Sequence, residues 1–207
     1  LYIDGKKIGR QESLCTPHIY DLNEYIGTGV HEMTICVSNV GYKTKGGHLT
    51  SPDTQTNWNG ITGRIELIGY KNAHAENVML WCDIHNKTVR VTANITGGKS
   101  GKAVISAESF NSEKSHTPEV QSFEYTDGKL DALYKMGDDC LLWSEHEPNL
   151  YKLRIDIDGD MSEHIIGMRE FMTEGGKFTI NGEKTFLRGK HDGMIFPKTA
   201  FAPTDLE

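Results

Sequence analysis

Two stretches of this 207-residue chain hold side chains that could do chemistry. In DTQTNWNG, Asp53 to Gly60, Trp58 offers a flat apolar face on which a pyranose ring can rest, and Asn57 and Asn59 carry the paired donors and acceptors that suit sugar hydroxyls. The competing account of the same residues is a turn in which Trp58 plugs a core and the amides cap the chain before Gly60. In WSEHEP, Glu145 and Glu147 flank His146 and form the best local acid/base candidates. Placed just before Pro148, they read more simply as a solvated edge, and Asp138 and Asp139 make no better pair. We therefore expect no catalytic residue within the chain.

No metal or cofactor site is expected either. The nine histidines include no pair at the helical spacing of a metalloprotease, and His146 and His164 beside acids read as surface neighbours. Cys15, Cys36, Cys82 and Cys140 are scattered, without the close pair of a zinc or redox motif, and read as buried thiols, with one disulfide as the lesser alternative. The net charge of −7 and the lack of a Lys/Arg cluster exclude the phosphate contacts of a nucleic-acid binder, whereas neutral partners such as sugars remain allowed. No apolar run is long enough to cross a bilayer as a helix. Asn86-Lys87-Thr88 and Asn94-Ile95-Thr96 fit the glycosylation tripeptide, a pattern too short to carry weight. A start at Leu1 without a leader reads as a chain cut from something longer, which leaves its compartment open.

The elements that must position these residues are strands. NVMLWCDI puts Val78, Leu80, Cys82 and Ile84 on one side; after the turn His85-Asn86-Lys87, VRVTANI puts Val89, Val91, Ala93 and Ile95 on one side. HEMTICV alternates Met33, Ile35 and Val37 with polar neighbours, and LYKLRIDI alternates Tyr151, Leu153, Ile155 and Ile157. Asp4-Gly5, Asp127-Gly128, Asp158-Gly159 and Asn181-Gly182 accept positive φ and predict tight connections. Helix should be scarce, with at most a short turn in TPHIYDLNEYI. The chain is predicted to be all-β.

Gly41 to Gly60 reads as a long loop, followed by a strand in GRIELIGY that carries Ile65 and Leu67. The first boundary is placed near Tyr70. Residues 1–70 hold too few strands for a full sandwich and read as the back half of a domain. Residues 71–171 hold about seven candidate strands, the number in an immunoglobulin-like sandwich, without that fold's paired cysteines and intervening tryptophan. A new unit is expected over residues 172–207.

Three stretches, in this order, resemble glycoside hydrolase family 2, the group of β-galactosidases, β-glucuronidases and β-mannosidases. DTQTNWNGITGRIEL is similar to the end of the family's sugar-binding jelly roll. WSEHEPNLYKLRI is similar to the end of its immunoglobulin-like domain. GMREFMTEGGKFTINGEKTFLRGKHD, with its Gly-x-Arg, Asn-Gly and Leu-Arg-Gly elements, is similar to the passage into the catalytic barrel. The resemblance implies part of a jelly roll over 1–70, an immunoglobulin-like β-sandwich over 71–171, and over 172–207 a linker and the first strand of a (β/α) barrel.

The resemblance also implies the chemistry. A retaining glycosidase uses two carboxyl groups about 5–5.5 Å apart, and in this family both are glutamates on later barrel strands, beyond Glu207. If FLRGKHD is the first barrel strand, Arg188, His191 and Asp192 lie at the rim where barrel enzymes build their sites, and the loop of Asn57, Trp58 and Asn59 approaches the same mouth. The bland readings are a buried ion pair for Arg188 and plain exposure for His191 and Asp192. Lys190 stands where the family usually has Asn before that His, which bears on the sugar accepted. The implied protein is the non-catalytic region of a retaining, exo-acting β-glycosidase of β-galactosidase-like type, bacterial and periplasmic or extracellular. The alternative is a freestanding carbohydrate-binding or adhesive immunoglobulin-type module; a structural spacer is a third reading, for the middle domain.

Overall fold

The computed structural model describes residues 1–13, 16–38, 60–61 and 63–189, so Asn57, Trp58, Asn59, Cys15, His191 and Asp192 lie outside the described residues. The chain divides into two compact units, the second of which is Leu67–Lys190. All strand pairings are antiparallel, and no helix occurs among the described residues.

In the first unit, β1 (Tyr2–Ile3) pairs with β2 (Lys6–Lys7) across Asp4-Gly5 and with β3 (Met33–Thr34). Asp4 holds β3 in place: one carboxylate oxygen accepts the Glu32 N–H at 2.8 Å and the other meets His31 Nδ1 at 2.7 Å. Each partner moves the other's titration, Asp4 lowered and His31 raised, chiefly through this hydrogen bond. Residues 22–26 close one turn, in which the Tyr25 and Ile26 N–H groups both donate to the Leu22 carbonyl.

The second unit is built on two sheets. One has the order β4 (His74–Asp83), β5 (Thr88–Thr96), β8 (Lys129–Lys135); the other has the order β10 (Asp160–Ile166), β9 (Tyr151–Ile157), β6 (Gly101–Ser109), β7 (Gln121–Tyr125). The chain changes sheet between β5 and β6, between β7 and β8, and between β8 and β9, so seven consecutive strands interleave into two layers. A third, small sheet follows: β11 (Phe171–Glu174), β12 (Lys177–Ile180) and β13 (Glu183–Lys184).

The alternation in the sequence shows why these segments are strands. Val89, Val91, Ala93 and Ile95 of β5 are all buried, and Tyr151, Leu153, Ile155 and Ile157 of β9 are fully buried; both sets belong to one core between the two sheets. Each large aliphatic side chain so buried contributes about 1.5–3 kcal/mol. Val78, Leu80 and Cys82 pack against the same core from β4. The turns follow the predicted chemistry: Asp4-Gly5, Asp127-Gly128, Asp158-Gly159 and Asn181-Gly182 all have positive φ at both residues, as does Gly175-Gly176 between β11 and β12.

A buried polar link ties the loop before β7 to the core. Tyr151 Oη accepts the Leu141 N–H at 2.8 Å, which leaves its own proton for His116 Nδ1 at 2.7 Å. The His116 N–H is in turn held by Ser109 Oγ at 2.8 Å. Burial pushes the His116 imidazole below its ordinary pKa, opposed by Asp139, which favours the neutral ring that can accept from Tyr151.

Three expectations are corrected. GRIELIGY forms no strand, and Ile65, Leu67, Ile68 and Tyr70 are exposed, because no described main chain pairs with this segment. In HEMTICV only Met33 and Thr34 pair, and Met33, Ile35 and Val37 are exposed for want of a covering layer among the described residues. Cys36 is an exposed free thiol; Cys82 and Cys140 are the sheltered ones, and burial raises the pKa of both, Cys82 to about 11.

Ile155→Ala should lower unfolding stability by about 2–5 kcal/mol, whereas Met161→Ala, on the neighbouring strand but facing out, should change it by no more than roughly 0.5 kcal/mol; urea denaturation of both variants checks the assignment of faces. For pH, a folded pKa of His116 below the unfolded 6.5 means that its share of stability is intact above pH 6.5 and is lost as pH falls through the folded value. His116→Gln should flatten that part of the stability-versus-pH curve, and a ring titration at or above 6.5 by NMR would contradict it.

Candidate functional site

The stretches WSEHEPNLY and GMREF…TINGEK, separate in sequence, meet at one end of the sandwich. Trp143, between β8 and β9, donates its N–H to the Met168 carbonyl at 2.9 Å, and Leu142 and Met168 form a parallel bridge. Met168 itself is fully buried. Asn181 closes the arrangement from the third sheet. Its Nδ2 donates to the Trp143 carbonyl at 2.9 Å, its Oδ1 accepts the Glu170 N–H at 2.9 Å, and its own N–H donates to the Glu170 carbonyl at 2.9 Å.

Residue type matters at each of these positions. A Cβ at Gly167, just past β10, would come within 3.1 Å of the Trp143 ring, so glycine lets the chain pass close without pressing on the indole. On the indole itself lies the Arg169 guanidinium, 4.8 Å from the ring centroid. Trp143 is thus half-buried: one part of it is packed against Gly167 and its face is covered by a cation. Asn181 sits at φ +53°, a conformation that Asn tolerates better than most residues. The Asn-Gly dipeptide therefore serves twice, as a hairpin turn and as the clamp on Trp143.

The segment between Trp143 and β9 closes on itself. The Ser144 N–H donates to the Glu147 carbonyl at 2.9 Å, and the Glu147 N–H is held by Ser144 Oγ at 3.0 Å. Asn149 Nδ2 reaches back to the Leu142 carbonyl at 2.9 Å. Asn111 acts as a strand edge in side-chain form: its Nδ2 donates to the Pro148 carbonyl and its Oδ1 accepts the Leu150 N–H, both at 2.7 Å.

Arg188 pairs with Glu145 through Nη1 and Oε2 at 2.7 Å, and the other Glu145 oxygen lies 3.6 Å from His146 Nε2. The guanidinium is about three-quarters exposed, so this is a surface ion pair and not a buried one. It spends Glu145 on Arg188, which fits the solvated-edge reading of Glu145-His146-Glu147. No strand is assigned from Thr185 to Gly189; Phe186 and Leu187 are exposed there, and Phe171 stacks on Phe178 at 5.4 Å beside them. Among the described residues no group of three or more His, Cys, Asp or Glu is placed to hold a metal.

Of the residues expected to bind substrate, the structure thus describes Arg188 alone. Asn111, Asn149, Gly167, Arg169 and Asn181 hold the junction together, and pattern reading had singled out the side chains of none of them. The Gly-x-Arg and Asn-Gly elements marked the place; that an amide, a guanidinium and an indole would converge there had no signature of its own.

Residues 73–169 match the family described as Glycosyl hydrolases family 2. The chain is 22% identical, over 97% of its length, to the Beta-galactosidase of Leuconostoc mesenteroides subsp. mesenteroides, of which it covers 21%. Over 99% of its length it is 26% identical to the Beta-galactosidase of Thermoanaerobacter pseudethanolicus, of which it covers 29%. It thus spans between a fifth and a third of these curated relatives. A crystal structure of Parabacteroides merdae beta-glucuronidase is similar over 58% of this chain and 17% of that one, with a TM-score of 0.42 and 20% identity.

Removing the amide clamp should cost more than removing the ion pair. Asn181→Ala loses two side-chain hydrogen bonds and puts at positive φ a residue that tolerates it less well than Asn, and should destabilise the second unit by roughly 2–4 kcal/mol. Asn181→Gly, which keeps the turn and loses only the bonds, should fall between this variant and the unchanged protein. Arg188→Ala should change stability by less than about 1 kcal/mol; denaturant titration of the three variants tests this order.

Proposed function

We propose, from the match of residues 73–169 to glycosyl hydrolases family 2, that the chain is the non-catalytic β-rich region of a retaining, exo-acting β-glycosidase of β-galactosidase type. In this reading the two interleaved sheets are the immunoglobulin-like domain over 71–171, residues 1–70 are the later part of a jelly roll, and residues 172–207 lead into a (β/α) barrel. The catalytic glutamates lie outside the chain. Its own task is to fix where the barrel starts and to lend the barrel mouth a loop.

The observation that supports this best is the junction at Trp143. A chain that leaves a sandwich through a loose linker cannot set the position of whatever follows. Here the exit is tied by the Trp143 N–H to Met168, by Asn181 to both Trp143 and Glu170, and by Arg169 over the indole. Arg188, the last charged residue that the structure describes, is bonded to Glu145. With the exit fixed, the rim residues Arg188, His191 and Asp192 and the loop residues Asn57, Trp58 and Asn59 can form one side of a sugar pocket. The apolar side chains left exposed beyond the junction, Phe171, Phe178, Phe186 and Leu187, suit a surface that meets further protein.

The chain alone should not hydrolyse p-nitrophenyl β-D-galactoside, while the same chain continued through a barrel with two glutamates should. In that longer enzyme Trp58→Ala should lower kcat/KM by roughly tenfold or more with little change in melting temperature. Turnover by the chain alone would overturn the placing of the chemistry, and equal loss of stability and activity in Trp58→Ala would return Trp58 to the core.

A further inference from the structure

We propose that the outer face of the β4–β5–β8 sheet is a separate binding platform for a neutral oligosaccharide, with Trp81 as its stacking surface. Register defines the face. Trp81 pairs with Arg90, which pairs with Leu133; one row along, Met79 pairs with Thr92, which pairs with Asp131. All six side chains point away from the core that the same strands fill with Val91, Ala132 and their neighbours. Trp81, Leu133 and Met79 are each more than half exposed, although the sheet packs its other face against the core.

Three features set this face apart from an ordinary solvated sheet. First, Trp81 is uncovered. Arg90, its cross-strand neighbour, turns both arms of its fork to Asp131, with Nε and Nη2 at 2.9 and 2.7 Å from the two carboxylate oxygens, and among the described residues no cation lies over the Trp81 ring. Trp143, by contrast, is capped by Arg169. Second, the sheet is shaped. The register of β4 against β5 slips between Glu76 and Met79, with Asn77 at φ +52°, and beside this bulge lies an open concavity of about 320 Å³ lined by Asn77, Met79, Thr92, Asn94, Lys129 and Asp131. Third, the Arg90–Asp131 fork is neutral as a unit and supplies flat, fixed polar edges, which leaves Lys129 as the one unpaired charge among the residues lining the concavity.

These features select the occupant. A pyranose has an apolar face of C–H groups for the indole and a rim of hydroxyls for the amides of Asn77 and Asn94, the Thr92 hydroxyl and the remaining lone pairs of Asp131. An anionic ligand meets a single lysine at the concavity, Lys129, and not a basic cluster. A second copy of the chain brings its own net charge of −7 against this one, and the diagonal Arg90–Asp131 pair stands between Leu133 and the Met79–Trp81 edge, so the apolar side chains form no continuous stripe across the sheet for a protein helix. This site does not depend on the glycosidase reading and lies on strands remote in sequence from Trp58.

Native gel electrophoresis of the chain through gels cast separately with β-1,4-galactan, xyloglucan and dextran tests the proposal. Retardation is expected in at least one gel. Trp81→Ala should weaken that affinity by about tenfold or more while leaving the circular dichroism and the mobility in a sugar-free gel unchanged, and Thr92→Lys, which crowds the concavity and keeps the indole, should weaken it as well. No retardation in any of the three gels, or retardation that survives Trp81→Ala, overturns the site. Retardation lost in Trp58→Ala but kept in Trp81→Ala also overturns it, and assigns binding to the Trp58 loop instead. Concentration-dependent dimerisation that Trp81→Ala abolishes, without retardation, makes the face a contact between chains and overturns it too.

Discussion

The main chain of Trp143 is where the organisation of the second unit converges. Its N–H and carbonyl are both satisfied by segments that arrive later in the chain, Met168 at the end of β10 and Asn181 in the turn between β12 and β13. An unpaired main-chain group sheltered from water costs about 1–3 kcal/mol, so neither later segment can drift without exposing or orphaning this residue. Three parts of the chain that would otherwise join by flexible connections, the β8–β9 crossing, the end of the sandwich and the small third sheet, are thereby held in one arrangement. Gly167 permits it by leaving room for the indole, and Arg169 completes it by covering the ring.

What the sequence revealed depended on whether a physical rule leaves a periodic or local mark. Burial on one face leaves alternation, so β5 and β9 were legible to the residue. Positive φ on two successive positions restricts composition to a few dipeptides, so four hairpin turns were legible from Asp-Gly and Asn-Gly. GRIELIGY shows where this stops: it has the apolar content of a strand, but a strand exists only by pairing its main chain with another, and no described segment pairs with it. The junction was legible only as a set of resembling motifs. That Asn181 holds the Trp143 carbonyl joins residues 38 positions apart, and a single long-range hydrogen bond has no period to detect. The expected sugar-facing residues other than Arg188 lie outside the described residues, and Arg188 is in an ion pair, as one of its two readings had it, but an exposed pair and not a buried one.

Two tryptophans in the same sandwich show how surroundings decide what an aromatic side chain does. Trp143 and Trp81 each have an arginine as a close neighbour. Arg169 lies over the Trp143 ring, so that ring is occupied and its contribution is structural. Arg90 is drawn aside by Asp131, whose carboxylate offers two charge-assisted bonds where the ring would offer one diffuse attraction. One aspartate on β8 is thus the difference between a capped indole and an open one, and Asp131 helps to define the Trp81 face without touching the ring.

The outer face of the opposite sheet sharpens the contrast. There Arg154 bridges Glu163 and Glu108 at 2.9 and 2.7 Å, with Lys152 alongside at 4.0 Å from Glu163, a charged ladder running across β10, β9 and β6 that water solvates well. The strand edges are also guarded. Gln121 offers its amide to the main chain of Lys135, accepting its N–H at 3.1 Å and donating to its carbonyl at 2.9 Å, and so closes one end of β8, while the bulge at Asn77 bends β4 away from flat pairing. Exposed apolar side chains stand beside that ladder too, at Met161, Ile165 and Val104; two further groups are the small third sheet beyond the junction and the face around Trp81. The first lies where the chain continues toward Glu207 and suits protein. The second is divided by a neutral polar pair and hollowed by a bulge, and that combination of a bare ring with fixed hydrogen-bonding edges favours a sugar over a packed protein surface.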